Sequence, residues 1–181
     1  MRLLKNGGDT INEIRRRPSG HIDLTPRYSR PIQNLPSSLD SESVARKLAL
    51  APGTPVVRIQ RVRLADNAPL SFDETHLPRE IGEKILENDL ETEPIFSLLE
   101  QKYNTPLVEA EYCLEAVTAD ATVARALGIG VGSPIFLIER TSYTTGHRPI
   151  DYEKLYYRGD QIRFVTRLAR RGGTDSRMEN R

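Results

Sequence analysis

The sequence is poor in the residues that form disulfides and bind metals. Among 181 residues it has one cysteine, no tryptophan and three histidines. A single cysteine, Cys113, excludes a disulfide within the chain, so we expect a reducing, cytoplasmic setting. With so few histidines and cysteines, the spacing typical of a structural metal site does not occur, and we expect no metal.

Long apolar runs, a strong net charge and nucleotide-binding motifs are absent as well. No stretch is apolar over the length of a bilayer, and the N-terminal residues do not resemble a signal peptide, so we expect no membrane partner. The 26 basic and 25 acidic residues nearly cancel, which argues against a domain that binds nucleic acid by itself. Neither a Walker loop nor a Gly-x-Gly-x-x-Gly motif occurs, and we expect no cofactor.

What the sequence does contain is a repeat. VARKLALAPGTPVVRIQR begins at Val44, and VARALGIGVGSPIFLIER begins 79 residues later, at Val123. The similarity continues, with one extra turn residue, in ADNAPLSFDE and TTGHRPIDYEK. Each copy has the pattern of a short helix, Pro/Gly punctuation, a β-branched strand, a turn and a second strand. Two copies are too few for a solenoid, so the repeat predicts an internal duplication within one compact domain.

Further elements lie between and after the two copies. REIGEKILENDL and EPIFSLLEQKY have helical periodicity, whereas PLVEAEYCLEAVTA and QIRFVTRLA alternate as strands do. Together the elements predict an α+β fold, with a mainly antiparallel sheet of about six strands and flanking helices. We assign residues 31–171 to this domain, residues 1–30 to a loosely ordered N-terminal segment and residues 172–181 to a flexible tail.

Two arginines follow two apolar residues on one side of the first strand of the first copy. Side chains alternate along a strand, so Val57, Ile59, Arg61 and Arg63 share a face. Arginines in such a place are costly unless they are paired or hold an anion, and arginine pairs bind carboxylate or phosphate through forked hydrogen bonds. An anion site is thus one interpretation of the pattern, although structural ion pairs are the more common arrangement. The alternatives are a structural ion pair of Arg61 with Asp73, or a solvated sheet face.

The register of the first hairpin decides which residues join those arginines. A two-residue turn at 66–67 would place Arg61 opposite Phe72. An odd turn or a β-bulge is needed to bring Asp73 and Ser71 to the same face as Arg61. We predict the odd register.

The second copy carries its own polar residues. Asp151, Glu153, Leu155 and Tyr157 share one face of their strand. A carboxylate and a phenol there suit the hydroxyl groups of a ligand; the alternative is an outward polar face with Tyr157 filling the core. His76 has no third metal ligand near it in sequence, so we expect it at most to line the pocket.

RVRLADNAPLSFDETHLP and PIDYEKLYYRGDQIRFVTRLARR resemble the effector-binding UTRA domain of HutC-type regulators in the GntR family. The resemblance covers residues 31–171. It implies the duplicated fold that this domain shares with chorismate lyase, and a dimeric bacterial transcription regulator that senses a small metabolite. A winged helix-turn-helix domain precedes the effector domain in such regulators. We expect this chain to contact operator DNA only through such a domain, which its own sequence lacks.

The resemblance also implies roles for particular residues. In relatives that sense sugar phosphates, two arginines on the first hairpin strand hold the anionic end of the ligand, and they match Arg61 and Arg63. A carboxylate on the returning strand, and an acidic residue and a tyrosine before the Arg-Gly-Asp turn, complete the match. The predicted effector site consists of Arg61, Arg63, Ser71, Asp73, His76, Asp151 and Tyr157.

One departure from those relatives bears on the ligand. They often place a serine at the start of the helix that here begins with Glu93-Pro94. Glu93 would repel a phosphate at a helix N-terminus, which favours a carboxylate effector, while the two arginines keep a sugar phosphate possible. The helices at 79–90 and 94–103 are expected to close over the ligand.

Two other functions compete with a sensor. A chorismate lyase-like enzyme would share the fold and use buried arginines to hold carboxylates. A purely structural dimerisation module would need no pocket. The visible duplication and the DETHLP and YYRGDQIRF segments favour the regulator, so we expect no catalytic residues.

Overall fold

The computed structural model describes residues 11–16, 27–32, 41–65 and 67–167. The chain order of its elements is β1 (Ile11–Arg16), β2 (Arg27–Ile32), α1 (Ser41–Lys47), β3 (Val56–Ala65), β4 (Ala68–Pro78), α2 (Arg79–Leu86), α3 (Ile95–Ser97), a π-helical turn (Leu98–Lys102), β5 (Glu109–Thr118), α4 (Ala121–Leu127), β6 (Pro134–Thr144), β7 (Arg148–Arg158) and β8 (Ile162–Arg167). The helix predicted at 79–90 is thus shorter, and the one predicted at 94–103 is part α-helical and part π-helical.

The strands form a six-stranded antiparallel sheet in the order β2-β3-β4-β7-β6-β5, with β1 and β8 as a separate antiparallel pair. The predicted α+β class is therefore confirmed. One strand assignment is corrected: β8 pairs with β1 and does not join the main sheet, where β2 supplies the sixth strand. The pattern of scattered prolines and arginines before residue 40 predicted neither β1 nor β2. The domain boundaries stay predictions, and residues 172–181 lie outside the described residues.

The two copies of the repeat form the centre of the sheet. The hairpins β3–β4 and β6–β7 lie side by side through the pairing of β4 with β7. In that pairing Glu74 lies opposite Lys154, and these two residues occupy equivalent positions in the repeat. A pseudo-twofold axis therefore passes between them. Each hairpin also has a register shift at its equivalent point, between Arg63 and Leu64 and between Ser142 and Tyr143.

Helices α1 and α4 pack on one side of the sheet, which we call the helix face. Val44 and Leu48 of α1 pack with Tyr152, and Val123 and Leu127 of α4 belong to the cluster that contains Phe72. Tyr152 and Phe72 are equivalents in the repeat, so each copy covers its helix with the other copy's returning strand. This exchange explains why the two halves form one core.

The other side of the sheet, which carries Arg61 and Arg63, we call the arginine face. At one end, α2, α3 and the π-helical turn cover Val57, Ile59 and Leu77. At the other end, the apolar residues are Ile138, Leu155 and Tyr157, joined by Ile162 of β8. Between these clusters lies a polar band. Within the described residues, no helix has the length and apolar character needed to cross a membrane.

Candidate functional site

The register of the first hairpin brings the predicted carboxylate to the arginines. Arg61 pairs with Asp73 and Arg63 with Ser71. This register arises because β4 has one extra residue, Leu70, opposite the step from Arg63 to Leu64 on β3. Paired residues in an antiparallel ladder project to the same face. The predicted odd register is confirmed. In the next pairing Ser71 lies opposite Tyr157, so Tyr157 joins the same face.

His76 does not join this site, and its predicted place in the pocket is corrected. The β4 register is regular from Ser71 to Pro78, so a residue three positions after Asp73 projects to the helix face. There the imidazole stacks on Tyr152, with ring centroids 5.7 Å apart. Its equivalent in the repeat, Tyr156, stacks on Phe72 at 5.8 Å. His76 therefore has a packing role on the helix face, like that of Tyr156 in the second copy.

Burial sets the charge state of His76. Desolvation lowers its pKa to about 4, Glu74 opposes the shift, and Arg58 and Lys154 reinforce it. The unfolded chain takes up a proton below the ordinary pKa of 6.5, whereas the folded chain resists protonation down to about 4. The unfolding free energy is therefore highest above pH 6.5, where His76 is neutral in both states. It falls as the pH drops towards 4, because protonation of His76 then favours the unfolded chain.

Replacing His76 with phenylalanine should remove this pH dependence and keep the stacked ring. Between about pH 7 and about pH 5 we expect the wild type to lose about 2 kcal/mol more unfolding free energy than His76→Phe, since each pKa unit corresponds to about 1.4 kcal/mol. Urea unfolding at several pH values measures the difference. Equal slopes for wild type and His76→Phe would contradict the assignment of this pH dependence to His76.

The polar band on the arginine face is almost inaccessible to solvent. Arg61 is 4% exposed, Arg140 3%, Glu153 1%, and Asp73 and Asp151 0%. Ionised groups at such depth are tolerated only when they are paired and hydrogen-bonded. The band therefore needs a full set of partners.

The first copy contributes what we call the basic half, consisting of Arg61, Arg63, Ser71 and Asp73. Arg63 Nε forms an ion pair with Asp73 Oδ2, and Ser71 Oγ donates a hydrogen bond of 2.9 Å to Asp73 Oδ1. A structural ion pair of the kind weighed as an alternative from sequence thus exists, between Arg63 and Asp73. The Arg63 side chain keeps 18% exposure, so this end of the band reaches solvent.

The second copy contributes the acidic half, consisting of Arg140, Ser142, Asp151 and Glu153. Arg140 forms an ion pair with Glu153 and lies 4.0 Å from Asp151 Oδ2. Ser142 Oγ donates to Asp151 Oδ2 at 3.1 Å. Asp151 Oδ1 is buried and has no hydrogen-bond partner among the described residues.

Two neighbours hold the acidic half from outside the second copy. Thr75 Oγ1 on β4 donates a 2.9 Å hydrogen bond to Glu153 Oε1. The Arg140 guanidinium carbon lies 4.0 Å from the centroid of the Phe96 ring in α3, a distance that suits a cation–π contact. Through Phe96 the covering helix touches the charged band directly.

Sequence reasoning did not include Arg140 among the site residues. The signal was present, because Arg140 is the repeat equivalent of Arg61. Glu153 was placed on the correct face but given no role. The residues brought together are Arg61, Arg63, Ser71, Asp73, Asp151 and Tyr157 from the prediction, with Arg140, Ser142 and Glu153 in addition.

Proton affinities across the band follow from its burial. Desolvation, and then the charge of Glu153, raise the pKa of Asp151 well above its ordinary value, against Arg140, Ser142 and Arg61. Desolvation also raises the pKa of Tyr157 to about 12, which keeps its phenol neutral. For Arg140, burial lowers the pKa, but Glu153 and Asp151 outweigh burial and the net shift is upward.

Glu93 lies two residues before α3, whose Phe96 contacts Arg140. It lines an open cleft of about 370 Å³ together with Thr92, Pro94, Ser97, Leu98, Gln101 and Lys102. No residue of the basic or the acidic half lines that cleft. Among the described residues, no cluster of histidine, cysteine or carboxylate side chains is arranged to hold a metal ion.

Comparison with known proteins extends these observations. Residues 38–163 match the model of the UTRA domain. The chain is 31% identical over 125 residues to the HTH-type transcriptional repressor NagR of Bacillus subtilis, which covers 69% of this chain and 51% of that protein. It is 26% identical over 137 residues to the histidine utilization repressor of Pseudomonas putida, covering 74% of this chain and 54% of the repressor. The chain spans about half the length of the curated relatives it matches.

A solved structure agrees with the same conclusion. The ligand-binding domain of a GntR-family transcriptional regulator from Bordetella bronchiseptica superposes with a TM-score of 0.68 and 25% identity, over 86% of this chain and 96% of that one. The fold and the charged band thus define an α+β effector-binding domain of the GntR regulator class. The chain belongs to the UTRA domain family. The resemblance to HutC-type regulators is confirmed, and the chorismate lyase alternative is not favoured.

Proposed function

We propose that this chain is the sensing part of a longer, cytoplasmic bacterial transcription regulator and binds a small anionic metabolite on the arginine face. The observation that carries the proposal is the buried polar band, in which Arg61 and Arg63 lie beside each other between two apolar clusters. Buried guanidinium groups are the usual means of holding carboxylate or phosphate. Both ligand classes, sugar phosphates and carboxylates, fit the pair.

The relatives support a regulatory role. NagR is named as an HTH-type repressor, and the Pseudomonas putida protein as a histidine utilization repressor. By analogy, this domain would pair with a second copy of itself and control operator DNA through a helix-turn-helix domain. No step of this role requires the chain to catalyse a reaction.

Coupling between ligand and DNA requires the ligand to bind one arrangement of the protein better than another. Helix α3 is placed for this, since Phe96 contacts Arg140 while Ile95 packs in the cluster shared with α2. A ligand that binds the arginines would displace the helices α2 and α3, which cover this face. By reciprocity, the ligand should change operator affinity by the same factor by which operator DNA changes ligand affinity.

The test of effector binding is a thermal-shift screen with sugar phosphates, sugar acids, amino-acid catabolites and aromatic carboxylates. A ligand of the native state raises the melting temperature by mass action. We expect Arg61→Ala and Arg63→Ala each to weaken a hit about 10- to 100-fold, because hydrogen bonds to charged groups contribute about 1.5–3 kcal/mol. Isothermal titration gives the affinities.

Arg58→Ala is the matched control. Arg58 lies on the same strand but pairs with Glu74 on the helix face, so its loss should leave ligand affinity unchanged. A hit whose affinity survives both Arg61→Ala and Arg63→Ala would show that the ligand binds elsewhere.

A further inference from the structure

The two copies of the repeat have diverged in charge at two positions of the polar band. Arg61 and Arg140 are equivalent, as are Asp73 and Glu153, so each half retains one arginine and one carboxylate. The remaining equivalents differ: Arg63 corresponds to Ser142, and Ser71 corresponds to Asp151. The basic half has an arginine where the acidic half has a serine, and the acidic half has an aspartate where the basic half has a serine.

The result is a dipolar band. With all groups ionised, the basic half has one excess positive charge and the acidic half has one excess negative charge. The excess carboxylate is the least well satisfied, because Asp151 Oδ1 is fully buried without a hydrogen-bond partner among the described residues. The charged groups that act on Asp151 are Glu153, Arg140 and Arg61.

We propose that the arginine face takes an amphoteric ligand, with its anionic group held by Arg61 and Arg63 and an ammonium group held by Asp151 and Glu153. This inference rests on the proposed effector function and narrows its ligand class. An ammonium has three donors and no acceptor, which suits two neighbouring carboxylates and supplies the partner that Asp151 Oδ1 lacks. A ligand with an anionic group alone would leave that oxygen as it is.

The spacing of the halves limits the length of the ligand. Arg61, Asp73 and Leu155 form one cross-strand row, and Thr75, Glu153 and Arg140 form the next row along the strands. Neighbouring rows on one face are about 7 Å apart, since a strand rises about 3.3 Å per residue. Arg61 on β3 and Glu153 on β7 are also two strands, or about 10 Å, apart across the sheet, and Asp151 lies one row beyond Glu153. The ligand therefore needs a chain of several carbons between its two charged groups, and the long arginine side chains must span the rest of the distance.

Proton exchange distinguishes the two kinds of ligand. Asp151 holds its proton more tightly than an exposed aspartate because it is buried beside Glu153. An ammonium group favours the ionised carboxylate, so an amphoteric ligand should release a proton on binding and bind more tightly as the pH rises. A purely anionic ligand should show the opposite dependence.

The experiment compares matched probes by isothermal titration. The amphoteric probes are γ-aminobutyrate, δ-aminovalerate, ε-aminocaproate and aminopropyl phosphate; the matched anions are butyrate, valerate, caproate and propyl phosphate. We expect an amphoteric probe to bind at least about tenfold more tightly than its partner, the effect of one charge-assisted hydrogen bond. Titration in buffers of different ionisation enthalpy should show proton release.

Variants assign that preference to the acidic half. Asp151→Asn should abolish both the preference and the proton release while retaining the acceptor for Ser142. Asp151→Ser, which installs the residue present at the equivalent position Ser71, is a second variant with the same expected result. Glu74→Gln removes a largely buried carboxylate from the helix face and should leave the preference intact.

The outcomes separate this inference from the proposed function. Equal or tighter binding of the matched anions, or a preference that survives in both Asp151 variants, overturns the amphoteric ligand class but leaves effector binding standing. If neither series binds, the inference also fails. The broader metabolite screen then decides effector binding itself: a hit sensitive to Arg61→Ala retains it, and the absence of any hit overturns both.

Discussion

Replacing Arg140 with methionine is expected to lower the unfolding free energy by about 3–5 kcal/mol at neutral pH. Removing one partner of a buried ion pair leaves the other charge uncompensated, and such losses are usually of this size. Removing Arg140 leaves the buried carboxylate of Glu153 without its ion-pair partner, and it removes the cation nearest Asp151. The contact of the guanidinium with Phe96 is lost as well.

Urea unfolding of three variants, each compared with the wild type, tests this expectation. Arg58→Met, which breaks the more exposed ion pair with Glu74 on the helix face, is the matched control and should cost much less. The double variant Arg140→Met/Glu153→Met should recover the part of the loss that comes from Glu153, since a buried ion pair replaced by apolar side chains is often nearly neutral. A loss below about 1 kcal/mol in Arg140→Met would contradict the view that the acidic half depends on this arginine.

The pH dependence of Arg140→Met carries a definite sign. Arg140 opposes the upward shift of the Asp151 pKa, so without the guanidinium the buried carboxylate of Asp151 gains proton affinity in the folded state. A folded-state pKa raised above the unfolded value gives stability at low pH that is lost as the pH rises. The deficit of Arg140→Met relative to wild type should therefore shrink towards acidic pH.

The sheet and the hairpin register could be predicted from sequence because two independent patterns agree. Alternation placed Arg61 and Arg63 on one face, and the repeat required the two hairpins to be alike. The bulge next to Leu64 followed from the expectation that Asp73 should face buried arginines rather than Phe72. Burial of a carboxylate is expensive enough to select between two registers that differ by one residue.

Other features were beyond the reach of local patterns. The pairing of β1 with β8 and of β2 with β3 joins residues far apart in sequence, and short strands with prolines and arginines have weak propensity. The ion pair of Arg63 with Asp73, residues that are not directly opposite each other in the ladder, depends on side-chain direction along the sheet. His76 was assigned to the wrong face because the prediction considered its imidazole chemistry and not its position on β4, an odd number of residues from Asp73.

Helix α2 links the fold to the site, and its contact with the sheet depends on a residue without a side chain. A Cβ atom on Gly82 would lie 2.5 Å from Val57 Cβ and 2.7 Å from Val57 Cγ2. Real Cβ atoms essentially never approach so closely, and both atoms belong to a short, branched side chain with little freedom to move. The absence of a side chain at Gly82 therefore sets the distance between α2 and β3.

Gly82→Ala is accordingly expected to destabilise the domain by about 3 kcal/mol, at the upper end of the usual cost of overpacking a core. Helix propensity acts in the opposite direction, because alanine is favoured over glycine in a helix by about 1 kcal/mol. The steric term dominates, since the contact with Val57 lies about 1 Å inside normal carbon–carbon separation. Thermal and urea unfolding of the variant measure the net effect.

Two further variants separate packing from propensity. Glu83→Ala changes the adjacent, exposed position of the same helix and should have only a small effect. Val57→Ala makes room for the new methyl group, so Gly82→Ala should cost less in a Val57→Ala background than in the wild type, with a coupling energy of about 1–3 kcal/mol.

Because α2 shares its apolar cluster with α3, and Phe96 of α3 contacts Arg140, the Gly82→Ala single variant should also weaken ligand binding on the arginine face. A Gly82→Ala protein as stable as the wild type would mean that α2 can move away from β3 without cost, and the helical layer would then be too loosely held to transmit a ligand's presence.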